Sequence, residues 1–399
     1  MKLFRLSVLL GLALLTLVLF WKPSRPQLLV QHVSSQQVSG AAAIYCRAFV
    51  AMPKLSDAET KLLETSPEQP LDVSQATKLL AKLAPSMELV VQGAKEPRCN
   101  WGLDLSQGAE LALPHLGKSI ILTEAFRLRA RLHLDAGNAD SATNDLLTTL
   151  RFGRHLGEPP LISLTLARLD SDFKAISLAS SYLSKFEPVS LQKLSIGIDA
   201  LPPCHSIKEA TAIEKETFPE SLRRLVAKEK EKSSWRVYFD NIKGGVIDSN
   251  PVWSALKKRM RQSPATFLEW VAGLERGYEE LENLMGLPYS VGKPRIDAFL
   301  KKTKDGATLN PLAAVTFPDV ARSREIEAQE EMIWAIFRMA LYTQAHNPTA
   351  LQGQLRVCRD TSGCGLVECR NVSGGVEVAY KITGGILKPV TLKVGLEKK

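Results

Sequence analysis

Apolar positions open the chain as one block and afterwards break into stripes. Leu6 to Trp21 is an uncharged apolar run, preceded by Lys2 and Arg5 and closed by Lys22-Pro23-Ser24-Arg25-Pro26. It is slightly long for a signal-peptide core and slightly short for a spanning helix. Leu6, Leu10, Leu14 and Leu17 supply helix formers whose backbone groups bond internally, and Trp21 stands where an interfacial aromatic would. Phe20-Trp21-Lys22-Pro23 lacks the small residues of a cleavage site, and no Cys follows for a lipid anchor. Residues 1–26 are therefore expected to be an N-terminal transmembrane anchor, with a removed signal segment as the other reading.

Beyond the anchor the period is helical. Ser56 before Asp57, Ala58 and Glu59 marks a helix start, and Ser74 opens a helix bearing Leu79, Leu80 and Leu83 that should stop near Pro85. Residues 97–117 read as irregular. The clearest element is a helical hairpin over 119–156. Ile121, Leu122, Ala125, Leu128, Leu132 and Ala136 stripe its first helix, Gly137-Asn138 makes the turn, and Asp140 or Ser141 caps the second helix. Gly157-Glu158-Pro159-Pro160 ends it, and Leu161 to Phe186 carries a third helix with a buried seam. The spacing is tetratricopeptide-like, but one good copy does not make an array, which needs at least three.

After Pro202-Pro203 the charges segregate. Arg223 to Arg261 holds eleven Lys or Arg against four acidic residues, and Glu269 to Glu282 holds five Glu against one Arg. Two solvated helix faces that pair with one another explain this. The sharper reading is that Arg223, Arg224, Lys257, Lys258, Arg259 and Arg261 form a surface for an anionic partner. Alternating aromatics of a single-strand binder are missing, so no specific nucleic acid is implied. A long helix is expected from Pro318 to His346, striped by Ile326, Ile333, Phe337, Ala340 and Leu341. Then the period becomes two: Leu355 to Cys358, Leu366 to Cys369, Val376 to Tyr380 and Val390 to Val394 read as short strands with Ser-Gly and Gly-Gly turns. So small an antiparallel sheet needs a helix or a staple. The expected domains are the anchor 1–26, a helical domain 27–200, a charged helical region 201–310, a long helix 311–346 and a small β region 347–399. The fold class is mainly α, helical hairpins or a bundle.

Composition and chemistry narrow the function classes. The chain has 399 residues, 45% hydrophobic and 23% charged, with a net charge of +9, so global disorder is excluded and a dedicated nucleic-acid binder is not indicated. Six cysteines, an even number all lying after the anchor, suit disulfides in an oxidising compartment. Cys358 with Cys369 is the preferred pair on spacing, leaving Cys364 to reach a cysteine of the helical region. The Cys358-x5-Cys364-x4-Cys369 spacing is not a zinc pattern, and the six histidines stand in no two-ligand arrangement, so no metal or cofactor is implied. His133, near a helix end, reads as structural. Two S-x-x-K matches, Ser171 to Lys174 and Ser190 to Lys193, lack their S-D-N and K-T-G companions. Glu275, Glu279, Glu280 and Glu282 would offer carboxylates for glycoside chemistry, although their spacing beside Arg276 describes an ordinary exposed helix.

Trp101-Gly102-Leu103, Leu113-Pro114-His115-Leu116, the stretch Leu128 to Gly157, Leu161-Ile162-Ser163, and Asn310-Pro311-Leu312 through Pro318 to Ala321-Arg322 resemble a family of uncharacterised, membrane-anchored helical proteins of planctomycete-type bacteria. The resemblance covers about two thirds of the chain. It departs at the end, where a Cys-containing strand region replaces the family's tyrosine- and proline-containing segment. The family has no established activity, so the resemblance assigns no site residue.

Taken together, the residues predict an inner-membrane, single-pass scaffold or interaction protein of the cell envelope, its body in the periplasm or other extracytoplasmic space. Its partners would be the lipid bilayer and an envelope protein, and no catalytic residue is assigned. The alternative is an envelope hydrolase acting on cell-wall glycan through an unrecognised carboxylate. A pilin-like component is a third reading, suggested by the N-terminal helix alone.

Overall fold

The structure, a computed structural model, describes residues 38–67, 69–227, 264–306, 310–346, 365–372, 375–382 and 390–395. Their helices are α1 (Ala41–Ala51), α2 (Asp57–Leu63), α3 (Val73–Gly93), α4 (Leu116–Asp135), α5 (Ala139–Leu156), α6 (Ile162–Ser181), α7 (Pro188–Asp199), α8 (Ile207–Ala227), α9 (Pro264–Met285), α10 (Tyr289–Asp305) and α11 (Pro311–His346). Strands β1 (Ser39–Gly40) and β2 (Cys99–Asn100) form one short antiparallel pair; β3 (Gly365–Val372), β4 (Gly375–Ile382) and β5 (Val390–Gly395) form an antiparallel sheet in that order. The protein is mainly helical with a small antiparallel sheet.

The described residues divide into two compact units. The first takes 102–113, α8, α9, α10 and α11 up to residue 324; the second takes 38–101, 114–206, the remainder of α11 and the sheet.

In the first unit the acidic face of α9 is tied to α8. Lys215 meets Glu282 at 2.7 Å, and Arg223 pairs with Glu275 and, within its own helix, Glu220. Tyr278 of α9 and Phe299 of α10 both pack on Phe317, with ring centroids 5.3 and 5.2 Å away. Gly277 lets that ring approach: a Cβ there would lie 2.3 Å from a Phe317 ring carbon.

In the second unit, α2 starts as its sequence predicts. The Ser56 hydroxyl accepts from the Glu59 amide, the Glu59 carboxylate accepts from the Ser56 amide, and Lys82 pins that carboxylate at 2.7 Å. α3 starts from Asp72, whose side chain accepts from the Gln75 amide, and it runs through Pro85. A proline inside a helix removes one hydrogen bond and costs about 3 kcal/mol. Leu79, Leu80 and Leu83 before it and Met87 and Val90 after it are all buried, and that packing offsets the cost. The α4–α5 hairpin turns at Gly137, φ 77°, and Asn138 rather than Asp140 or Ser141 caps α5, accepting from the Ser141 amide. The cap falls early because left-handed Gly137 ends α4 and Asn138 is the next side chain able to reach back. α11 starts at Pro311, with Pro318 inside it.

The sheet finds its support in a helix. β5 lies against α6, and Val378, Leu392 and Val394 are buried. Cys369 stands opposite Val378 in the β3–β4 register. Cys358 and Cys364 lie outside the described residues, so the Cys358–Cys369 pairing does too. Among the described residues Cys46, Cys99 and Cys204 are free thiols on different segments, with no disulfide between them, and a bridge from Cys364 to one of them lies outside the described residues. The anchor residues Leu6, Leu10, Leu14, Leu17 and Trp21 also lie outside. Among the described residues, no helix is long and apolar enough to cross a membrane.

Candidate functional site

The second unit carries a cleft of about 480 Å³ where the C-terminal end of α3 meets α4 and α5. Its polar wall follows from helical periodicity. On α5, Ser141, Asn144, Asp145, Thr148 and Arg151 recur at three- and four-residue steps, opposite the apolar stripe of Leu146 and Leu150; on α4, Arg129 and His133 are one turn apart. Val91, Ala94 and Leu147 give an apolar floor, and Lys95 stands at the rim.

Asp145 organises this wall. Its carboxylate accepts both the Nε and Nη2 protons of Arg129, at 3.0 and 2.6 Å, and lies 3.7 Å from His133 Nε2. Burial pushes the Asp145 carboxyl up, and Arg129 pulls against that shift. Arg129 also lies over the Phe126 ring, 5.0 Å from its centroid, so its guanidinium is held in one plane. Lys95 and Arg151 are different: among the described residues, neither side chain makes a hydrogen bond or an ion pair. With Asp145 balanced by Arg129, the cleft keeps two unneutralised cations beside the Ser141 hydroxyl and the Asn144 amide. Such an arrangement attracts and orients an anion.

Two further polar clusters lie deeper in the same unit. Asp172 is fully buried. Arg168 reaches it at 2.9 Å and Arg154 at 3.1 Å, while Arg168 also holds Glu330 at 3.0 Å. Trp334 Nε1 donates to the same Glu330 oxygen at 2.7 Å. Burial raises the Glu330 carboxyl well above the usual carboxylate range; the arginines resist this, and Asp172 reinforces it. The second cluster is aromatic. Tyr45 meets His155 Nδ1 at 2.8 Å, Trp101 donates to the His155 carbonyl, and the Trp101 ring stacks on His115 with centroids 4.3 Å apart. Burial depresses both imidazoles, His115 to about 4.

The residues singled out from sequence are scattered by comparison. Arg223 is held by Glu220 and Glu275, and Arg224 follows it in the last turn of α8; Lys257, Lys258, Arg259 and Arg261 lie outside the described residues. Of the acidic cluster, Glu275 and Glu282 are engaged by Arg223 and Lys215, and Glu280 lies 3.8 Å from Lys302. Lys174 of the first S-x-x-K match is bound by Glu124 and Asp170, both at 2.6 Å, and Ser171 faces the Thr149 carbonyl instead. His133, read as a helix-end histidine, faces Asp145 across the hairpin. Sequence reasoning missed Lys95, Arg129 and Arg151. The polar stripe on α5 was the available signal for Arg151; nothing in the sequence placed Lys95 against it.

Comparison with protein-family models, with curated proteins and with solved structures finds no match to this chain.

Proposed function

We propose that this chain is a membrane-anchored scaffold or interaction protein of the cell envelope, tethered by Leu6 to Trp21, with its body outside the cytoplasm. It works by holding an anionic group of its partner rather than by turning over a substrate. The α3–α4–α5 cleft carries this reading, because among the described residues Lys95 and Arg151 stand there without counter-charges beside an Arg129 fixed by Asp145. The α4–α5 hairpin, with its tetratricopeptide-like spacing, is the rigid frame for that surface. Glu124 sits at its centre, where burial works to raise this carboxyl but Arg127 and Lys174 hold it down at about 2. The hydrolase reading loses support, since Glu275 and Glu282 are occupied by cations of the neighbouring helix.

The test is fractionation combined with protease access on intact and lysed cells. The full chain should remain with membranes after a carbonate wash, and external protease should reach its body once the outer barrier is opened. Deleting 6–21 should release it. A full chain recovered in the soluble cytoplasmic fraction overturns the tethered reading.

A further inference from the structure

We infer that the α3–α4–α5 cleft binds a phosphate-bearing ligand, with Arg151 and Lys95 as its principal charge contacts and Arg129 as a fixed third donor. This deepens, and rests on, the reading of the cleft as an anion site. The charge count selects the ligand class. Asp145 already neutralises Arg129 through two hydrogen bonds, at 3.0 and 2.6 Å, so the cleft's excess is the pair Lys95 and Arg151. A carboxylate would neutralise one of them. A phosphomonoester carries roughly −1.5 to −2 charges at neutral pH and three strong acceptor oxygens, and it matches both.

Donor geometry agrees. Guanidinium groups present planar forks that suit phosphate oxygens, and Arg129 is pre-oriented by its carboxylate and by the Phe126 face. The Ser141 hydroxyl on the same wall supplies an uncharged donor for a remaining oxygen, and the Asn144 amide, which donates to Asp140 Oδ2 at 3.5 Å, has one further proton to offer. Thr148 contributes less, because its hydroxyl already donates to the Asn144 carbonyl at 2.7 Å. A cleft of about 480 Å³ exceeds a bare phosphate, and its floor of Val91, Ala94 and Leu147 leaves room for an apolar or neutral portion of the ligand.

The full chain, in detergent, is titrated calorimetrically with inorganic phosphate and then with glycerol 3-phosphate, against chloride at matched ionic strength. Saturable binding of both phosphates and none of chloride is expected. Arg151→Gln and Lys95→Gln should each weaken binding about tenfold, the loss of one charge-assisted contact. Among the described residues neither side chain makes an ion pair, so the thermal midpoint without ligand should stay unchanged. Equal affinity in the double variant, or no heat beyond the chloride control, overturns the assignment. Dioctanoyl phosphatidic acid separates the sources: binding tighter than glycerol 3-phosphate and lost in the double variant assigns a lipid headgroup, and equal binding assigns a free phosphomonoester. The double variant should still fractionate with membranes. A failure of phosphate binding is thus distinguishable from a failure of the tethered reading.

Discussion

Single buried ionisable groups give the second unit a pH dependence with two opposed contributions. His115 is neutral in the fold, its imidazole depressed by burial to about 4 from an ordinary value of 6.5. Between those values the unfolded chain binds more protons, so His115 stabilises the fold fully above 6.5 and loses that contribution as pH falls toward 4, up to about 3 kcal/mol. Glu330 has the opposite sign. Its raised carboxyl keeps a proton in the fold that the unfolded chain gives up, so its contribution is present below the ordinary Glu value and disappears as pH rises through the raised one. Urea denaturation from pH 4 to 8 should show this directly. His115→Phe should flatten the loss of stability on acidification, and Glu330→Gln, which keeps an acceptor for Trp334, should remove the loss on the alkaline side. Unchanged slopes in both variants would refute the assignment. Neither shift was legible in the sequence, where His115 sits in an irregular stretch and Glu330 in a run of acidic residues; burial by residues distant in the chain produces both.

At the level of elements, local chemistry and tertiary contact make separable contributions. The start of α2 is local: Ser56 and Glu59 satisfy each other's amides within four residues, and that box could be read directly from the chain. The continuation of α3 through Pro85 is tertiary, because only the buried apolar side chains on either side of the proline outweigh its missing hydrogen bond. Gly277 on α9 tests the same distinction. Alanine is a better helix former than glycine by about 1 kcal/mol, so the isolated helix would gain. Here the new Cβ would sit 2.3 Å from the Phe317 ring, which is itself packed by Tyr278 and Phe299. Gly277→Ala should therefore destabilise the protein by about 1–3 kcal/mol in chemical denaturation. A neutral or stabilising outcome would mean the ring moves aside freely.

Across the whole molecule, cysteine chemistry connects structure to compartment. Six cysteines, an even number, suggest bridges, yet among the described residues Cys46, Cys99 and Cys204 are free thiols. Their reactivities should differ. Cys46 and Cys204 are exposed, whereas Cys99 is mostly covered and burial pushes its thiol far up, with Glu158 adding to the shift. Maleimide labelling of the native protein, read by peptide mapping, should modify Cys204 and Cys46 at once and Cys99 only on unfolding. Rapid labelling of Cys99 would contradict its placement in β2.

Periodicity alone determined that the chain is mainly helical, that a hairpin lies near 119–156 and that short strands lie near the end, because amphipathic spacing and turn residues act over a few positions. Of those strands, 366–369, 376–380 and 390–394 fall in β3, β4 and β5, while 355–358 lies outside the described residues. The acidic helix and its basic neighbour were visible too, as opposite charges a short distance apart in the chain. Tertiary structure alone decided which charges are neutralised. Asp145 takes Arg129, Asp172 takes Arg154 and Arg168, and Lys95 and Arg151 keep no counter-charge among the described residues. Arg168 and Asp172 are one turn apart on one helix, but Arg129–Asp145 and Arg154–Asp172 join different helices, because charge pairing acts through space and depends on burial.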